Sequence, residues 1–229
     1  MSASSKELLR SVRVAPSILS ADFARLREQV GEVLDAGARI IHVDVMDGHF
    51  VPPITLGPVV VEGIASQAHE AGAILDVHLM IERPERQIAD FVKAGADSVT
   101  FHAEATPHLA YAADIAHGNG ACVGVAINPG TPVGALAEVA GEIELALCMT
   151  VNPGWGGQAF IEHSLDKLPR VRAIVGEHVA VEVDGGIAPD TAPACRSAGA
   201  NVFVAGSAIF GADDPGEAYR AIAEAVQAS

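Results

Sequence analysis

Eight runs rich in β-branched residues recur along the chain, at 12–19, 39–45, 73–79, 97–102, 121–127, 144–151, 179–184 and 201–206. Between them lie Ala-, Glu- and Leu-rich segments with helical spacing of apolar residues, so strand and helix are expected to alternate throughout. Ala-Gly-Ala closes four of the helical segments, at 36–38, 71–73, 94–96 and 198–200. Gly there is the residue that stops a helix before a strand. Eight strand-plus-helix units predict an α/β fold, a (β/α)8 barrel spanning 1–229 as one domain. A doubly wound open sheet is the competitor. It gathers its polar groups at one switch point, whereas here they fall at the ends of many strands, as barrel sites do.

The formal net charge of −15 argues against nucleic acid and against an anionic membrane surface. An anionic ligand must therefore be held by local groups. Cys122, Cys148 and Cys195 are scattered without a CxxC pair, which suits reduced thiols. The first residues lack the apolar core of a signal peptide, and no apolar stretch is long enough to span a bilayer. A cytoplasmic protein is expected. The three lysines, Lys6, Lys93 and Lys167, fall in the N-terminal tail and in two predicted helices. Schiff-base chemistry at a strand end thus lacks its amine.

Two strands carry an unusual inward row. His42, Asp44 and Met46 alternate with Ile41, Val43 and Val45, and Asp76, His78 and Met80 repeat the pattern. Residues two apart share a face of a strand. A further strand ends in Asp184. Two imidazoles and two carboxylates at one rim form a donor set for a divalent ion such as Zn2+, Fe2+, Mn2+ or Co2+. Taken singly, a buried strand His is more often a hydrogen-bonded core residue than a ligand. The repetition on a second strand favours the ligand reading. Asp76 and Glu182 fall one layer deeper, as groups that orient the ligands or as core polar residues with structural partners. Met46, Met80 and Met149, the methionines beyond the initiator, all fall at strand ends and form either gap-filling core or an apolar collar.

Glycines cluster after the last three strands: Gly154-Trp155-Gly156-Gly157, Gly185-Gly186 and Gly206-Ser207. Backbone N–H groups exposed by glycine can cradle a phosphate, and barrels bind phosphate after their last strands. Most single glycine loops are tight turns; three at successive strand ends point to a cradle. No Lys-Ser/Thr follows as in a nucleotide loop, and no GxGxxG follows the first strand.

The segments APSILSADF, HVDVMDGHFVP, DVHLM, FHAEA, INPGTP, VNPGWGGQAF, EVDGGI and AGSAIF together resemble the ribulose-phosphate 3-epimerase family, in its order and over nearly the whole chain. The resemblance implies a TIM barrel that interconverts D-ribulose 5-phosphate and D-xylulose 5-phosphate with one divalent metal ion per chain. That is a step of the pentose phosphate pathway and the Calvin cycle. It implies His42, Asp44, His78 and Asp184 as metal ligands and Asp44 and Asp184 as the acid–base pair. Substrate contacts would come from Ser17, His78, Met46, Met80, Met149, Gly154, Trp155, Gly156, Gly157, Gly185, Gly186, Gly206 and Ser207. A homo-oligomer is implied by the same analogy. Pro53, Leu56 and Trp155 stand where the family commonly has Asn, Phe and Phe, which bears on substrate fit.

The C3 proton of a 2-ketose is acidic because its loss gives an enediolate, whose charge a metal ion can stabilise. Inversion removes that proton from one face and returns one to the other, so two carboxylates suffice. His102 and Glu104 are expected to shape the mouth rather than to do chemistry. The alternatives are a 3-epimerase of a related ketose phosphate such as a hexulose 6-phosphate, another phosphate-binding barrel isomerase, and a catalytically silent barrel acting through protein partners.

Overall fold

The computed structural model describes residues 4–228. Its strands are β1 (Arg13–Pro16), β2 (Ile40–Met46), β3 (Ile74–Met80), β4 (Ser98–His102), β5 (Cys122–Ile127), β6 (Leu145–Met149), β7 (Ala180–Asp184) and β8 (Val202–Ala205). All pair in parallel in the order 1-8-7-6-5-4-3-2, and an isolated parallel bridge between Ser17 and His42 draws the two ends together. Every strand lies beside its sequence neighbour, so there is no switch point. This is the (β/α)8 barrel and not the open sheet.

The helices are α1 (Ser5–Arg10), α2 (Leu26–Asp35), α3 (Pro58–Glu70), α4 (Ile88–Lys93), α5 (Leu109–Gly118), α6 (Leu168–Val175), α7 (Ala192–Ser197), α8 (Ser207–Phe210) and α9 (Pro215–Gln227). The glycines of the four Ala-Gly-Ala stops, Gly37, Gly72, Gly95 and Gly199, have φ of 111°, 72°, 116° and 107°, the left-handed region that a helix stop requires. One unit departs from strict alternation. Between β5 and β6 the described chain holds a single 3-10 turn, Val133–Leu136, and no α-helix. Pro129, Gly130, Pro132, Gly134 and Gly141 punctuate that stretch, and Pro and Gly are the worst helix formers. Leu136, Val139 and Ile143 are nonetheless buried and take over the helix's task of covering the sheet.

Strand parity divides the core. Residues such as Ile41, Val43, Leu75, Val77, Val99, Phe101 and Val181 pack outward against the helices. Ala15, Ile40, Ile74, Cys122, Leu145, Leu147, Ala180, Val202 and Val204 fill the interior, where Leu8 and Leu9 of α1 join them. On β2 and β3 the interior register pairs Ile40 with Ile74, His42 with Asp76, Asp44 with His78, and Met46 with Met80. The inward face thus turns from apolar to polar on going up the barrel. Among the described residues, no helix is long and apolar enough to cross a membrane.

Candidate active site

The polar interior layers of β2, β3 and β7 converge. One donor atom each from His42, Asp44, His78 and Asp184 fall within 4.8 Å of one another. His42 points Nδ1 at Asp76 Oδ2, 2.9 Å away, and leaves Nε2 facing Asp44 Oδ1 at 3.3 Å. His78 does the reverse: Nδ1 lies 3.0 Å from Asp44 Oδ1 and 3.7 Å from Asp184 Oδ2, and Nε2 meets Nε2 of His102 at 2.8 Å. Ser17 donates its hydroxyl to Asp44 Oδ2 at 2.6 Å. His42 Nε2 is buried with no hydrogen-bond partner among the described residues. A buried unsatisfied nitrogen aimed at carboxylates costs free energy unless something fills the gap. A divalent ion fits that donor set: two imidazole nitrogens, two carboxylates, and no cysteine.

The carboxylates are held in contrasting states. Burial opposes charge on Asp44, but His42 and His78 outweigh it and push this carboxyl well below the usual range. Asp184 is pushed up to about 8 by burial and then by the Asp44 charge. Burial likewise raises Glu182, followed by the nearby Asp76. His42 is raised despite its burial, because Asp44, Asp76 and Glu182 surround it. Adjacent carboxyls pushed apart in this way can act as a base and an acid.

Above this cluster opens a partly enclosed cavity. Ser17, Asp44, Met46, Met80, Met149 and Asp184 form one part of its lining, and Gly154, Trp155, Gly156, Gly157, Gly185, Gly186, Gly206 and Ser207 form another. His42 and His78 lie beneath, fully buried. The three methionines are almost completely buried, as an apolar rim around the carboxylates. Pro53 serves through its carbonyl, which accepts from the Gly48 N–H, Leu56 is at the edge of burial, and Trp155 is 58% exposed. The turns after β7 demand glycine. Gly185 and Gly186 have φ of 115° and 67°. A Cβ on Gly186 would stand 2.7 Å from the Phe160 backbone nitrogen. The short α8 starts at Ser207, the element that supplies N–H groups to phosphate in many barrels.

Several residues here escape a reading of the sequence. Thr150 donates its hydroxyl to the carbonyls of Asp184 (2.9 Å) and Gly185 (2.6 Å), fixing the end of β7. Gln158 donates to the carbonyls of Asn152 (2.6 Å) and Trp155 (2.8 Å), bracing the glycine loop from within. Ser20 lies against the glycines: a Cβ on Gly206 would be 2.8 Å from its Oγ. Asp76 does meet a ligand-type histidine, whereas both oxygens of Glu182 lack a hydrogen-bond partner among the described residues. His102 corrects an expectation. It is fully buried and bonded to His78, so it does not shape the mouth. Lys167 lies just before α6 and not within it. Its amine is spent on the carbonyls of Asn128 (2.6 Å) and Pro129 (3.3 Å), outside the cavity lining.

Fold and site together define a (β/α)8 barrel with an imidazole–carboxylate cluster toward its C-terminal rim. The family model for ribulose-phosphate 3-epimerases matches residues 13–210, and the chain belongs to that family. Ribulose-phosphate 3-epimerase of Bacillus subtilis (strain 168) is 49% identical over 207 residues, covering 89% of this chain and 94% of that protein. The chloroplastic ribulose-5-phosphate-3-epimerase of Arabidopsis thaliana is 49% identical over 214 residues, covering 91% and 75%. Among solved structures, KGPDC from Streptococcus mutans superposes with a TM-score of 0.72 at 17% identity, over 95% and 98% of the two chains. That likeness is one of fold.

Proposed function

We propose that the whole chain acts as one ribulose-phosphate-binding barrel that interconverts D-ribulose 5-phosphate and D-xylulose 5-phosphate. The single observation that carries this is the convergence of Asp44 and Asp184 on one cavity, from β2 and β7, with β8 and β1 between them. The family match supports the substrate.

His42, Asp44, His78 and Asp184 would hold one divalent ion, which when bound supplies positive charge beside the sugar's oxygens. Ser17 orients Asp44 through its 2.6 Å hydrogen bond. One Asp removes the C3 proton from its face of the sugar, leaving an enediolate. The other returns a proton on the opposite face, and the roles swap in the reverse direction. Met46, Met80 and Met149 keep water from the carbanion. The glycine turns after β6, β7 and β8 bind phosphate through backbone N–H groups, which reconciles an anionic ligand with a chain of net charge −15. Several copies of the chain would assemble in solution; sedimentation velocity measures that directly.

The deciding experiment follows deuterium. Asp44→Asn and Asp184→Asn are loaded with excess metal ion, their metal content is measured, and each is given both sugars in D2O. One variant should wash deuterium slowly into ribulose 5-phosphate only and the other into xylulose 5-phosphate only. A metal-replete single variant that still interconverts the sugars at near wild-type rate rules out two bases.

A further inference from the structure

His78 presents Nδ1 to the carboxylates, but its other nitrogen begins a chain. Nε2 of His78 lies 2.8 Å from Nε2 of His102, and Nδ1 of His102 lies 3.3 Å from Glu104 Oε2. The second oxygen of Glu104 accepts from the Asn128 N–H at 2.8 Å and from the Thr131 hydroxyl. Lys167 in turn holds the Asn128 carbonyl at 2.6 Å. Both imidazoles are fully buried, so water does not replace a missing partner easily.

The proton positions follow from the fixed end of this chain. A carboxylate oxygen only accepts, so the proton between His102 and Glu104 sits on His102 Nδ1. Neutral His102 then has a bare Nε2, which accepts from His78 Nε2–H. His78 is left with its lone pair on Nδ1, the atom that faces Asp44 and Asp184. From Asp44 to Glu104 there are three gaps, and two neutral imidazoles bring two protons. A cation on His78 Nδ1 takes the first gap, and the two protons fill the others. His42 is oriented the opposite way round by Asp76, which lies 2.9 Å from its Nδ1 and leaves Nε2 free. Each imidazole is thus set by a carboxylate, directly for His42 and through a second ring for His78.

We propose that His102 and Glu104 are positioning residues that hold His78 in its Nε2–H tautomer and so aim the Nδ1 lone pair at the divalent ion. This rests on the metal reading above. It gives a role to two residues that do not line the cavity.

Glu104→Gln is the sharpest variant. The fixed Asn128 N–H claims the amide oxygen, which turns the NH2 toward His102 Nδ1. That ring must then accept there and donate from Nε2, into a His78 nitrogen that already carries a proton. His102→Leu removes the acceptor altogether, whereas His102→Gln can restore one through its carbonyl. The readouts are Zn2+ affinity, by competition with a chromophoric chelator, and ring-nitrogen chemical shifts of 15N-labelled protein with Zn2+. Wild type should carry protons on His78 Nε2 and His102 Nδ1. Glu104→Gln and His102→Leu should bind Zn2+ about 10- to 100-fold more weakly. His102→Gln should recover most of that loss, which a merely space-filling His102 would not explain. Wild-type His78 protonated on Nδ1, or undiminished Zn2+ affinity in both weakening variants, overturns the proposal. His42 and His78 signals in wild type that ignore Zn2+ would sink the metal reading instead.

Discussion

The two ends of this barrel treat polar groups in opposite ways. At the N-terminal base one device appears three times. Asp97, just before β4, accepts from the Leu75 N–H at 2.9 Å and bonds His69 of α3 at 2.9 Å. Glu144, just before β6, accepts from the Val123 N–H at 2.9 Å and bonds His117 of α5 at 3.0 Å and Lys6 at 2.7 Å. Asn201, just before β8, accepts from the Val181 N–H at 3.0 Å and from Arg172 of α6 at 2.5 Å. Each ties the second residue of one strand to the helix that precedes it. Toward the C-terminal rim, His42 Nε2 and, in the layer beneath the carboxylates, both oxygens of Glu182 go without hydrogen bonds among the described residues. Hydrogen-bonded polar groups hold a fold, whereas several unpaired buried ones gathered beside a cavity mark a place built for something other than stability. The division predicts that substitutions at the rim change activity and those at the base change stability.

The largest effect should follow Asp184→Asn. With one face of the sugar deprived of its carboxylate, kcat should fall by about 10²- to 10⁴-fold. Stability should not fall with it. A carboxyl whose native value is raised to about 8 costs stability as pH rises from its ordinary range toward 8. Removing it should leave the metal-free protein as stable as wild type at pH 7, or more so. Steady-state kinetics and thermal unfolding of the same sample test both halves, and a lowered Tm without a loss of kcat would invert the comparison.

Gly156→Val comes next and separates binding from folding at the rim. A Cβ there has room, its nearest neighbour being Ser20 Oγ at 3.6 Å, so the loop need not distort. The side chain would instead obstruct the phosphate. Loss of one hydrogen bond to a charged group corresponds to about 1.5–3 kcal/mol, so KM should rise roughly 10- to 100-fold at little cost in Tm. Gly186→Val is a poorer probe, because its Cβ would strike the Phe160 backbone and strain the turn. An unchanged KM in Gly156→Val would remove this loop from phosphate binding.

The contrast between the ends also explains what is legible in the sequence. All eight strands lie within the runs of β-branched residues or one residue beyond them, because a short β-branched run buried on both faces is a local signal. The four-residue cluster at the rim is legible because His42 with Asp44, and Asp76 with His78, repeat one pattern at spacing two. The base is not. His69 and Asp97, or Arg172 and Asn201, are 28 and 29 residues apart, and only the closing of the barrel brings them together. The burial of His102 is hidden for the same reason: its partner His78 comes from another strand. The missing helix between β5 and β6 is foreshadowed by Pro129, Pro132 and three glycines, but the regularity of the other units hides it.

At the base, Arg172→Ala should have a smaller effect than either rim substitution and of the other kind. The guanidinium donates to the carbonyls of Gly176 (2.7 Å), Val179 (2.6 Å) and Gly199 (3.1 Å) as well as to Asn201. Truncation leaves several half-buried acceptors to be served by water, and should cost about 1.5–3 kcal/mol of unfolding free energy. kcat and KM should hold. Urea unfolding with parallel assays checks this, and a fall in kcat without a fall in stability would show that the base is coupled to the chemistry.

The smallest effect should come from Glu144 and is best seen by pH. Burial opposes its charge, but Lys6, the Val123 N–H and His117 hold its carboxyl below its ordinary value of 4.5. A carboxyl lowered in the native state contributes stability that is complete above the unfolded value and is lost as pH falls through that value toward the native one. Glu144→Gln keeps an acceptor for the Val123 N–H but removes the charge. It should flatten the part of the stability curve below pH 4.5 that this residue supplies. Lys6→Ala alone should do much less, because the lysine is 60% exposed and an exposed ion pair contributes about 0–1 kcal/mol. Unfolding free energies from acid to neutral pH for wild type and both variants would measure the difference. If Lys6→Ala flattened the curve as much as Glu144→Gln, the ion pair with Lys6 would be holding the base, and the hydrogen bonds to Val123 and His117 would have only a minor part in it.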